Sequence, residues 1–138
     1  ADQGIGKGHI KMIEWSTKGP DGVEVLLKKT TLYDHILGDH NEKDQQGREI
    51  ACRFAKFVVE DPKYIITDQS SPEDRKRLKY LDTKYIEETG KIRYIVVVAE
   101  ANRDPREVVT VEMQRCMTDS IPKEAVIYDR DSSGGRKI

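Results

Sequence analysis

The chain has few cysteines, no long apolar run and almost no net charge, and each of these features argues against a class of protein. Only two of its 138 residues are cysteines, Cys52 and Cys116, and their separation fits neither a disulfide framework nor a zinc site. Two reduced thiols are expected, which favours a reducing compartment; a single bridge between them is the alternative. No apolar run approaches the ~20 residues that a membrane-spanning helix needs. The sequence therefore predicts no membrane partner, no cofactor and no metal.

The chain carries nearly equal numbers of positively and negatively charged side chains. Its 24 lysines and arginines face 25 aspartates and glutamates, a net charge of −1, so the total gives no sign of a nucleic-acid partner. A local basic face could still bind one, because binding depends on how charge is distributed. Apolar residues gather in short blocks, which is typical of a folded domain. We expect a flexible linker at residues 1–8, one domain at 9–130 and a mobile tail at 131–138.

The first third of the sequence predicts a hairpin and a short helix. Apolar and polar residues alternate over 9–16 and again over 23–29, with a turn rich in glycine and proline between them. A short helix is expected at 32–37, ended by Gly38.

A longer helix is predicted over residues 47–60. Ile50, Phe54, Phe57 and Val58 recur at helical spacing and form one apolar stripe. We expect this stripe to pack on a sheet, and the Asp-Pro pair that follows should end the helix.

The remainder of the chain predicts strands separated by turns. Residues 91–99 are apolar on both faces, which is typical of a central strand, and should pair with 108–113 across the turn at 102–105. Further strands are predicted over 64–67, 78–86 and 125–128. The sequence as a whole predicts an α+β fold, with the N-terminal hairpin and two helices packed on an antiparallel sheet of about four strands.

Two histidines near the short helix are candidates for chemistry. His35 and His40 stand five positions apart, about 140° on a continuous helix, so they do not form the pair of a helical zinc site. A histidine at a helix end can carry a proton near neutral pH, which suits general acid–base catalysis. The alternative is a surface or half-buried histidine bonded to a carboxylate such as Asp34 or Asp39.

Two further groups could contact an anion. One is a basic stretch interleaved with tyrosine, from which the candidates are Arg77, Lys79 and Tyr80; a solvated charged loop is the alternative. The other is a polar strand face with an arginine at the strand end; ordinary outward polarity is the alternative. Alternation predicts Thr110, Glu112 and Gln114 on that face, Val109, Val111 and Met113 on the core side, and Arg115 at the end.

The order of several short motifs resembles a known nuclease grouping. Residues 32–40 read LYDHILGDH, a helix over 50–62 ends in Asp-Pro, and a valine-rich strand at 94–98 precedes a strand carrying Thr110. Over about residues 23–114 the chain resembles phage and polymorphic-toxin domains of the barnase, EndoU, colicin and RelE-like (BECR) grouping.

The chain departs from the pattern of that grouping at two positions. Asn41 stands where a proline usually follows the second histidine, which weakens the match of this loop. Val111 stands where a small residue often follows the strand threonine, which bears on the geometry of the site.

The resemblance implies metal-independent RNA cleavage. A base takes the proton of a ribose 2′-hydroxyl, the oxygen attacks the adjacent phosphate, and an acid protonates the leaving 5′-oxygen. It implies His35 as the general acid or base and Thr110 as a phosphate contact. From residue type alone, Arg77, Lys79 or Arg115 would supply positive charge, and Tyr80 would stack on a base or donate a hydrogen bond.

The implied partners are RNA and a cognate inhibitor or immunity protein. The implied site of action is cytoplasmic, with the domain free or part of a longer phage or secreted toxin protein. The alternative is a non-catalytic module of the same fold that binds a protein partner or has a regulatory role.

Overall fold

The computed structural model describes residues 12–38, 42–68, 76–115, 121 and 123–131. The predicted linker at 1–8, the predicted tail beyond Asp131 and the candidate His40 lie outside these residues.

A single sheet and a long helix make up most of the described chain. The strands are β1 (Ile13–Lys18), β2 (Glu24–Lys28), β3 (Tyr64–Thr67), β4 (Arg77–Ile86), β5 (Lys91–Glu100), β6 (Arg106–Gln114) and β7 (Val126–Asp129). Helix α1 spans Glu42–Glu60, and a short 3₁₀ turn spans Lys123–Ala125. The seven strands form one sheet in the order β1-β2-β6-β5-β4-β3-β7, and every neighbouring pair is antiparallel except β2 and β6.

The expected sheet of four strands with two helices is wrong, because the described residues form seven strands and one α-helix. The N-terminal hairpin joins the sheet edge-on, through the parallel pairing of β2 with β6, and does not pack on its face. At the other edge β3 pairs with both β4 and β7. The short helix predicted at 32–37 is a single π-helical turn at Thr31–Ile36, which we call the histidine turn because it carries His35.

Helix α1 ends at Glu60 as predicted but begins earlier, at Glu42. Its buried stripe has the predicted period and lies one residue away from the predicted position. Phe57, expected in the core, is 61% exposed, and Ile50 and Phe54 are only partly buried. The fully buried residues of the helix are small ones, which let the helix approach the sheet closely: Ala51, Ala55, Val58 and Val59.

Strand β5 lies at the centre of the sheet, as its two apolar faces predicted. It pairs with β4 and with β6, which confirms the expected partner. Toward α1 its side chains join the main core; those on the opposite side, which we call the outer face, join a second cluster made of Ile66, Leu81, Val96 and Val98.

A register shift in β6 changes which of its valines face the core. The shift lies opposite Val98 and Ala99, and it places Val109 against the second cluster while Val108 and Val111 join the main core. The expectation that Val109 shares a face with Val111 is therefore wrong, because a bulge interrupts the alternation. Within the described residues, no helix is long and apolar enough to cross a membrane.

The offset of the helix stripe can be tested by adding volume at adjacent positions. Ala55→Leu should destabilise the fold by about 1–3 kcal/mol, because Ala55 is fully buried against the sheet. The same side chain at exposed Lys56 should change the free energy of unfolding by no more than about 0.5 kcal/mol. Urea denaturation measures both, and equal stabilities for the two variants would contradict the assigned face.

Candidate functional site

Strand β6 is paired along only part of the edge that faces β2. Val25 and Leu26 pair with Arg106 and Glu107 at the start of β6, and the rest of β2, to Lys28, pairs with β1 alone. The histidine turn, which follows β2 in the chain, contacts both β6 and β2. Backbone groups of β6 beyond Glu107 therefore need partners other than a strand.

Arg48 of α1 supplies one such partner. Its Nη1 donates to the hydroxyl oxygen of Thr110 at 2.7 Å and to the backbone oxygen of Val111 at 3.0 Å. Thr110 stands opposite Val98, a residue of the outer face. Arg48 comes from the helix side of the sheet and thus reaches a hydroxyl that belongs to the outer face. A cation is thereby held next to a hydroxyl at the open edge of β6.

His35 projects from the turn that packs beside this edge. Leu32 and Ile36 of the histidine turn are buried in the main core, whereas Tyr33, Asp34 and His35 between them are exposed. The backbone N–H of Leu37 donates to the oxygen of Leu32 and closes the turn. The imidazole of His35 is thus presented to solvent from an anchored element.

Arg48 also lines a cleft between α1 and the ends of β5 and β6. The cleft has a volume of about 520 Å³, within the usual range for ligand pockets. Arg93, near the start of β5, and Arg115, just beyond β6, also line it, and we call it the arginine cleft. Its other described lining residues are Gln46, Gly47, Ile50, Thr89, Glu112 and Met113.

The arginines of the cleft differ from most other described arginines in their partners. No carboxylate in the described part of the chain forms an ion pair with Arg48, Arg93 or Arg115. Elsewhere arginine pairs with acid: Arg53 with Glu88, Arg103 with Glu107 and Glu100, Arg106 with Asp21, and Arg130 with Asp82 and Asp61. The positive charge of the cleft is consequently balanced only by Glu112 among its described lining residues.

Of the residues proposed from sequence, Thr110 and Arg115 adjoin the site through β6. Lys79 lies in register with Ile66 and Val98, which places it on the outer face, and Arg77 shares that face by alternation. Tyr80 points the other way and is fully buried, so a base could not reach its ring. The expectation that it stacks on a base is wrong, because its ring is buried in the main core.

Arg48 and Arg93 were not identified from the sequence. Arg48 extends the buried stripe of α1 by one turn, three positions before Ala51 and seven before Ala55. A cation that continues an apolar stripe is the signal that could have found it, once the stripe is placed correctly. Arg93 gives no such signal in the sequence, because only the folding of the chain brings its strand and helix α1 to the same cleft.

Tyr80 belongs to a buried network that holds the N-terminal hairpin. Arg106 Nη1 donates to Asp21 Oδ2 and to the Tyr80 hydroxyl, both at 2.8 Å. Burial opposes the charge on Arg106, but the bonds to Asp21 and Tyr80 outweigh it and raise the pKa of the guanidinium. Burial also raises the pKa of Tyr80. Near neutral pH the network is therefore an ion pair that is hydrogen-bonded to a protonated phenol. We assign it a structural role.

No group of three or more histidine, cysteine, aspartate or glutamate side chains among the described residues could hold a metal ion.

Breaking the buried network should cost far more than breaking an exposed ion pair. Arg106→Leu leaves Asp21 unpaired where its side chain is 9% exposed, and we expect a loss of about 3–5 kcal/mol. Arg103→Leu removes an arginine whose side chain is 54% exposed, and solvent screening should make the loss of stability far smaller. Urea denaturation of both variants measures the difference, and similar losses would contradict a structural role for the network.

Cys52 should be a poor nucleophile. Burial raises the pKa of its thiol to about 11, and Arg48 only partly opposes this. The thiolate is the reactive form, so at pH 8 alkylation should run about two orders of magnitude slower than in the unfolded chain. The rate should then rise with pH until the pKa is passed. A Cys116→Ser variant isolates the signal, and fast alkylation at pH 8 without unfolding would contradict the assignment.

Comparison with known proteins yields no relative from which a function could be transferred. No family model, no curated protein and no solved structure matches the chain.

Proposed function

We propose that the chain is a metal-independent ribonuclease of phage or toxin type, with its site at the open edge of β6. The observation that carries the proposal is the hydrogen bond from Arg48 to Thr110 on β6, the strand that the turn carrying His35 also contacts. Cleavage by a ribose 2′-hydroxyl needs a group that moves a proton and donors that stabilise the crowded phosphate. An exposed imidazole, a hydroxyl and a fixed guanidinium are the groups that such chemistry uses.

Each side chain has a separate task in the proposed reaction. His35 takes the proton of the 2′-hydroxyl or gives one to the leaving 5′-oxygen. The 2′-oxygen forms a bond to phosphorus as the bond to the 5′-oxygen breaks, which leaves a 2′,3′-cyclic phosphate. The hydroxyl oxygen of Thr110 accepts from Arg48, so its own proton is available for a phosphate oxygen, while Arg48 offsets the developing negative charge.

The proposal predicts RNA cleavage in excess chelator, with products that end in 2′,3′-cyclic phosphate. His35→Ala should lower the rate by about 10²–10⁴, because proton transfer by a placed side chain contributes that much. Thr110→Val should lower it by about 10–100-fold, because one hydrogen bond to a charged group is lost. A gel assay with end-group analysis measures both effects.

Lys56→Ala is the matched control, because Lys56 is exposed on α1 outside the site. Thermal denaturation of each variant separates loss of chemistry from loss of fold. Undiminished cleavage by the folded His35→Ala protein would exclude the proposed mechanism.

The second candidate function is a non-catalytic module that binds a protein partner. Tyr85 and Ile92 favour it: they stand opposite each other on β4 and β5 and are 59% and 62% exposed. A cross-strand apolar pair left open to water is a feature of protein-binding surfaces. A folded chain that cleaves no RNA would make this candidate the better one.

A further inference from the structure

We propose that the arginine cleft binds the sugar–phosphate backbone of single-stranded RNA, at phosphates next to the one that reacts. The identity of this ligand rests on the proposed ribonuclease function. The existence of an anion site rests on the cleft itself and can be tested separately.

The first argument is uncompensated charge. Arg48, Arg93 and Arg115 converge on one cleft without an ion-paired carboxylate in the described chain, and Glu112 is the single described acid in its lining. Arginine keeps its charge in proteins and presents a planar fork that matches phosphate oxygens. Cations focused in a cleft raise the local concentration of anionic ligands. The arrangement therefore favours a ligand with more than one negative charge.

The second argument is continuity with the proposed site of chemistry. Arg48 both donates to Thr110 and lines the cleft, so a ligand in the cleft lies against the open edge of β6. A polymer with a phosphate at every unit can place one phosphate at Thr110 and a neighbouring one in the cleft. A small anion would use only one of the two positions.

The third argument concerns what the cleft can recognise. None of the described residues that line it is aromatic, and its apolar contribution comes from Ile50 and Met113. Stacking of bases on aromatic rings, which many single-strand binders use, is therefore not provided by these residues. Phosphate contacts carry no base information, so binding in the cleft should depend weakly on sequence and strongly on salt.

Binding can be measured without cleavage by using a fluorescent 2′-O-methyl RNA oligonucleotide, which lacks the attacking hydroxyl. Arg93→Gln and Arg115→Gln should each weaken its binding about tenfold or more at low salt. Each should also reduce the slope of log affinity against log salt by about 0.7, the value for one lost contact to a single strand. Fluorescence anisotropy over a salt series gives both quantities.

Arg103→Gln is the matched control. Arg103 is exposed in the turn between β5 and β6, at the opposite end of these strands, and pairs with Glu107. Its removal should leave the salt slope unchanged.

The outcomes separate this inference from the proposed function. Wild-type affinity and salt slope in both cleft variants would overturn the inference even if the chain cleaves RNA. Displacement of the oligonucleotide by a polyglutamate peptide at equal charge concentration would reject RNA as the ligand in favour of an acidic protein. Salt-dependent binding that both variants weaken, in a chain that cleaves no RNA, would support the cleft and reject the nuclease.

Discussion

Two residue pairs, Val25 with Arg106 and Leu26 with Glu107, join the N-terminal hairpin to the rest of the sheet. A parallel ladder of two residue pairs would be weak alone, and Arg106, the first residue of β6, strengthens it. The backbone of Arg106 pairs with β2, while its side chain binds Asp21 in the hairpin and Tyr80 on β4. The attachment of the hairpin, the position of the histidine turn and the length of open β6 edge all follow from this junction.

Two groups can be distinguished among the described arginines. Those that pair with carboxylates join elements: Arg106 joins the hairpin to the sheet, and Arg130 joins the end of β7 to Asp82 of β4 and to the residue after α1. Those around the arginine cleft have no ion-paired carboxylate among the residues that the structure describes. In a chain with almost no net charge, the described lining of this cleft thus holds three arginines and one acid.

The sequence predicted local structure better than assembly. Strands were found where alternation or two-sided apolarity was clear, as in β3 and β5, because a period of two follows directly from strand geometry. The size of the sheet was missed, because the pairing of Val25 with Arg106 joins distant residues and leaves no local pattern. The helix stripe was misplaced by one residue because large apolar side chains mark a stripe more clearly in a sequence than small ones, whereas in the fold Ala55 faces the sheet and Phe57 is exposed.

The candidate site was likewise predicted only in part. His35 and Thr110 were proposed because motifs marked them, whereas Arg48 and Arg93 come together from a helix and a strand that are far apart in the chain. Tyr80 could not be oriented, because both faces of β4 carry apolar residues. The bulge that moved Val109 to the outer face is likewise invisible in a pattern of valines.

The long-range pairing of β2 with β6 has a consequence for how the chain reaches its native state. Strands β4, β5 and β6 form a meander whose contacts are close in sequence, so their loops close at low entropic cost. The β2–β6 ladder closes a far longer loop, and the edge that bears Thr110 acquires its flanking turn only when that loop closes. We expect the folding nucleus to lie in the meander, with the hairpin and the histidine turn docking afterwards and detaching first when the native state opens locally.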